Sequence, residues 1–101
     1  MAVSFKSKLR VNKITADMND FVEDFLAHTV VGMISPLRGV DKIKNLDMHQ
    51  DNGEVKIKVN GEEIPLTLFP NNIICNTLTA LISSLKDVEG RIDSWDITVT
   101  A

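Results

Sequence analysis

The chain nearly repeats itself. KLRVN at Lys8 to Asn12 returns as KIKVN at Lys56 to Asn60, an offset of 48 residues. Over the 35 positions from Ser7 to Asp41, that offset aligns nine residues with identical ones: Lys8, Val11, Asn12, Phe21, Thr29, Ile34, Ser35, Leu37 and Val40. Composition alone would supply about two such matches, so the pattern points to internal duplication. Conservative pairs agree, among them Leu9 with Ile57, Arg10 with Lys58, Phe25 with Ile73 and Met33 with Leu81. After Asp41 the offset lengthens by one residue and aligns Ile43 with Ile92 and Asp47 with Asp96. A chain built this way must fold as two copies of one supersecondary unit, because two repeats are too few for a solenoid.

Each unit reads as strand, helix, strand. In FKSKLRV, Phe5, Ser7, Leu9 and Val11 alternate with Lys6, Lys8 and Arg10; in EVKIKVN, Val55, Ile57 and Val59 alternate with Lys56 and Lys58. A period of two is that of a half-buried strand. The first helix is predicted to begin near Asn19 or Asp20 and to pack through Phe21, Phe25, Leu26, Val30, Met33 and Leu37, with Gly39 as a stop. Pro36 bends or ends it, since a proline ring displaces the carbonyl one turn back. The second helix is predicted to open with Pro70 and to pack through Ile73, Ile74, Leu78, Leu81 and Leu85. Closing strands follow at KNLDMHQ and IDSWDITVT.

Asn52-Gly53, the strongest two-residue hairpin signal, joins the units as antiparallel neighbours. The expected fold is therefore α+β, a ferredoxin-like split βαβ (βαββαβ) with a four-stranded antiparallel sheet and two helices on one face. The strand order would be 4-1-3-2, with the KLRVN and KIKVN strands in the centre. Residues 1–101 form a single domain of two units, about 4–50 and 53–100. Counting from the turn pairs Asp47 with Lys58 and Met48 with Ile57; the repeat then pairs Asp96 with Arg10 and Ile97 with Leu9. Asp47–Lys58 and Asp96–Arg10 are expected as ion pairs, and Trp95 as a core residue.

The residues that carry chemistry are few. One cysteine, Cys75, excludes an intrachain disulfide, and no Cys/His spacing suggests a metal or cofactor. His28 and His49 fall on different faces, so no catalytic pair is legible and a non-enzymatic role is expected. The glycine-rich loop with arginine that acylphosphatases place after the first strand is missing, as is the CxxC of metallochaperones; NKITADM stands there instead. The N-terminal residues lack a signal-like apolar run and nothing approaches a membrane span, so a soluble cytoplasmic protein is expected.

Two surfaces remain. No Asp, Glu, Lys or Arg occurs from Phe25 to Leu37 or from Pro70 to Leu85. The sides turned away from the expected core stripes carry Ala27, His28, Val31 and Ser35 on one helix and Cys75, Asn76, Thr79 and Ser83 on the other. Depletion of charge marks interface centres, so these residues are expected to form a homodimer or protein-partner interface. The second surface is the helix-free sheet face, where Lys6, Lys8, Arg10, Lys56 and Lys58 would lie on adjacent strands as an anion or nucleic-acid site. Acidic neighbours and the lack of stacking aromatics argue against it, as does a net charge of −3.

Overall fold

The computed structural model describes residues 5–37, 40, 42–85, 88 and 90–101. Their elements are β1 (Lys6–Val11), β2 (Ile14–Thr15), α1 (Asp20–Ile34), β3 (Asn45–Asp51), β4 (Glu54–Val59), β5 (Glu62–Ile64), α2 (Leu68–Ser83) and β6 (Ser94–Thr100). Shifted by 48 residues, β1, β2 and α1 fall on β4, β5 and α2; shifted by one more, β3 falls on β6 residue for residue. The architecture is α+β, a six-stranded antiparallel sheet with two helices, consistent with a duplicated βαβ arrangement. The expected four long strands are joined by β2 and β5, which the sequence reading did not foresee. Each is a short return strand after a two-residue turn, at Asn12-Lys13 and Asn60-Gly61. Both central residues of these turns, and of Asn52-Gly53, have positive φ, as the twist of a tight hairpin requires.

The repeated pentapeptide ends on the residue that opens this turn, and that asparagine has a second task. The Asn12 side chain accepts from the backbone N–H groups of Asp93 and Ser94 and donates to the Arg91 carbonyl. The Asn60 side chain accepts from Lys44 and Asn45 and donates to Lys42. Each asparagine thus clamps the start of the other unit's closing strand.

The long strands lie in the order β1-β6-β3-β4, with β2 and β5 outside them. The expected 4-1-3-2 order, with KLRVN and KIKVN central, is corrected: the closing strands β6 and β3 are central and the opening strands flank them. Charge accounts for the choice. Adjacent β1 and β4 would set five cations side by side, and like charges on neighbouring strands repel. The observed order places Asp47, His49, Asp96 and Thr98 between them. Within the hairpins the expected register holds, with Asp47 opposite Lys58, Met48 opposite Ile57, Asp96 opposite Arg10 and Ile97 opposite Leu9. The central pair sets Met48 against Ile97, positions equivalent under the repeat, so the pseudo-two-fold axis passes through them.

One core lies between sheet and helices. Leu9, Leu46, Met48, Val55, Ile57, Val59, Trp95, Ile97 and Val99 meet Leu26, Ala27, Val30, Ile34, Ile74, Leu78 and Ile82. Trp95 is 0% exposed, as expected of a core residue, and its indole N–H donates to Thr79 Oγ1 at 3.0 Å. The helices use an i, i+4, i+8 row for burial, Leu26–Val30–Ile34 and Ile74–Leu78–Ile82, rather than the wider stripes the sequence suggested. Phe21, Phe25 and Ile73 are exposed, and Met33, Leu37, Leu81 and Leu85 are half-buried. Asn19 caps α1 by accepting from Val22 N–H, and the helix ends at Ile34, so Pro36 follows it rather than bending it. Pro70 is the third residue of α2, not the first, still within the turn whose N–H groups need no helical partner. Gly39, the expected stop, lies outside the described residues.

Candidate functional site

The helical layer presents large apolar side chains to solvent. Phe21 is 73% exposed, Phe69 72% and Leu68 77%, with Phe25 and Ile73 about half as accessible as in an extended chain. Phe21 and Phe69 are equivalent under the repeat, as are Phe25 and Ile73. The rings of Phe21 and Phe25 stack 5.9 Å apart. With Val22 they form one wall of an open apolar groove of about 480 Å³, whose other wall is Ala80, Leu81 and Leu85 at the far end of α2. The first half of α1 therefore lies beside the last half of α2.

The residues expected at an interface are distributed differently. Ala27 is corrected: it is 0% exposed, packed into the core at the position equivalent to Cys75, and presents nothing to a partner. Val31, Cys75 and Thr79 are half-buried, with the Thr79 hydroxyl engaged by Trp95. His28, Ser35, Asn76 and Ser83 are exposed on the same outer sides as the phenylalanines. His28 rests edge-on against Phe5 with its Nδ1 3.3 Å from an Asp24 oxygen, while Ser35 and Ser83 donate to their own helix carbonyls. Sequence reasoning missed the exposed phenylalanines because it assigned Phe21 and Phe25 to the packed stripe; with more apolar positions than one buried row needs, periodicity does not single out the row that packs inward.

The open sheet face is organised in two rows. Arg10, Asp96, His49 and Lys56 lie opposite one another across β1, β6, β3 and β4, and so do Lys8, Thr98, Asp47 and Lys58. The pseudo-two-fold exchanges the rows. The five cations are consequently not one platform: Lys6, Lys8 and Arg10 stand on one flank, Lys56 and Lys58 on the other, with carboxylates between. The rows line a depression of about 530 Å³, with Thr15 and Glu63 at its rims. The expected ion pairs do not form within 4 Å among the described residues, although the registers are correct. Asp96 instead hydrogen-bonds the Nδ1 of His49 across the central strand pair, and Lys56 approaches Glu54 at 3.9 Å. The His49–Asp96 contact was illegible in the sequence because it depends on β3 pairing with β6.

Among the described residues, no group of three or more His, Cys, Asp or Glu could hold a metal ion, and no helix is long and apolar enough to cross a membrane. No family model, curated protein or solved structure matches the chain.

Proposed function

We propose that this protein is a non-enzymatic interaction module that self-associates through its helical layer. One observation carries the reading: of the six large apolar side chains exposed among the described residues, five lie on α1 and α2, namely Phe21, Phe25, Leu68, Phe69 and Ile73. At roughly 200 Å² for a large side chain, their exposed fractions amount to on the order of 600 Å² per copy. A standard interface takes about 800 Å² from each partner, so rim residues such as His28 and Asn76 complete the requirement.

A second copy is the occupant that suits this surface. The phenylalanine motif occurs twice, on equivalent positions of the two helices, and a two-fold contact needs a self-complementary patch. Charge on the helices is confined to the first two turns of α1, at Asp20, Glu23 and Asp24, so two copies meet with little like-charge repulsion. Sedimentation of the wild-type chain at tens of micromolar is expected to give a dimer. Phe21→Asp with Phe69→Asp should give a folded monomer by circular dichroism, with dissociation strengthened at least about a thousandfold because buried aromatic anchors dominate interface energy. A wild-type monomer at about 1 mM would refute self-association.

A further inference from the structure

The two rows of the open face are alike in charge and differ in one chemical respect. Around His49 stand Lys56, directly opposite on β4, and Lys58, diagonal to it; the equivalent positions around Thr98 on β6 hold Lys8 and Arg10. Directly opposed side chains on paired strands sit about 5 Å apart at Cβ, and diagonal ones about 7–8 Å apart, so each cluster brings two cations close to one polar group, with Glu54 as a further diagonal neighbour of His49 and Lys6 of Thr98. Arg10 is partly engaged, its Nη2 donating to the Lys13 carbonyl at 3.4 Å. Lys58 forms no ion pair within 4 Å among the described residues, although Glu63 lies across from it on β5.

Asp96 gives the His49 cluster its distinguishing property. With the Nδ1–H of His49 donated to Asp96, the ring is oriented and Nε2 is left without a partner among the described residues. Neutral His49 offers an acceptor at Nε2, which opposes an anion's oxygens. Protonated, it offers a charged donor between two lysines. We infer that His49, Lys56 and Lys58 form a binding site for a tetrahedral oxyanion, of the phosphate or sulfate class, that fills when His49 is protonated. The charged groups facing His49 are Asp96 on β6, Lys56, Lys58 and Glu54 on β4, the last 3.9 Å from the Lys56 ammonium, and its own neighbours Asp47 and Asp51 on β3. Lys8 and Arg10 lie beyond on β1, and Glu63 on β5. In the depression itself four cations face three carboxylates, so one proton on His49 doubles the excess positive charge. Thr98 has no such proton to gain; its cluster, with Lys6 where the other has Glu54, is the more basic of the two and serves as the control for pH dependence alone.

Inorganic sulfate is the probe, since its charge does not change across the range used. Titrated into the whole protein at low ionic strength and followed by NMR, it should shift His49, Lys56 and Lys58 saturably at about pH 5.5. Binding should weaken at least about tenfold by about pH 8, the loss expected for one charged hydrogen bond. His49→Gln should abolish that pH dependence, and Lys58→Gln should weaken binding about tenfold, whereas Lys8→Gln leaves it within about twofold. Thr98→His should add pH-dependent binding at the opposite row. The inference is overturned if no saturation appears below about 100 mM, if Lys8, Arg10 and the exposed His28 respond as strongly as His49 (diffuse ionic screening), or if the pH dependence survives His49→Gln. These side chains lie on the face opposite the helices, so the outcome is independent of self-association.

Discussion

The two halves of this molecule share their elements to within one residue yet are held together differently. In the second half Trp95 fills the core beneath α2 and donates to Thr79; at the equivalent positions the first half has Leu46 and Val31, an apolar pair with no hydrogen bond to make. At the outer strand, β1 sends the Ser7 hydroxyl to the Glu23 carbonyl, whereas in β4 the Asn71 side chain accepts from Val55 N–H and donates to Gly53. The α1 cap is Asn19, bonded to Val22, while its counterpart Thr67 makes no side-chain cap bond and α2 has no acidic residue in its first turn. The Asn12 and Asn60 clamps, by contrast, are the same in both. Backbone geometry is thus common to the halves, while side chains outside the clamps have diverged wherever another solution satisfies the same group.

The largest expected effect comes from erasing the difference in the core. Trp95→Leu gives the second half the first half's residue, but the surrounding side chains are packed for an indole, and Thr79 loses its donor. Urea denaturation should report a loss of about 2–4 kcal/mol, the range for large-to-small core changes. A loss below about 1 kcal/mol would mean that the halves are interchangeable there.

Next come the clamps, where the halves should agree. Asn12→Ala and Asn60→Ala each remove three hydrogen bonds and place a Cβ residue without an amide at positive φ. Each should cost about 2–3 kcal/mol, within about half a kcal/mol of the other. A difference above about 1 kcal/mol would break the pseudo-symmetry as an energetic statement while leaving it as a geometric one.

The smallest effect separates the helix starts. Asn19→Ala should destabilise by about 1 kcal/mol, and Thr67→Ala by no more than a few tenths, because only the first breaks a cap bond. Equal losses would show that Thr67 caps α2 in solution and that the halves are more alike than their hydrogen bonds indicate.

What the sequence determined by itself is largely local, although the short return strands β2 and β5 escaped it. The period-two strands, the Asn52-Gly53 turn and a helix start near Asn19 or Asp20 specify the long elements and the pairing within the β3–β4 hairpin, because each depends on residues a few positions apart. The repeat carries that pairing over to β1 and β6. Asp47 opposite Lys58 was legible from the turn, and Asp96 opposite Arg10 from its repeat. Tertiary structure decided the one remaining strand pairing. The hairpin and the β1–β6 pairing can be assembled with either β1 and β4 or β3 and β6 in contact, and local pattern satisfies both. Repulsion between cationic strands favours the second, and that choice alone brings Asp96 to His49 and separates the basic residues into two flanks. The helical faces were likewise undetermined by sequence. With more apolar positions on α1 and α2 than one buried row needs, burial of the Leu26 and Ile74 rows, rather than the phenylalanines, follows from how two helices fit over one twisted sheet.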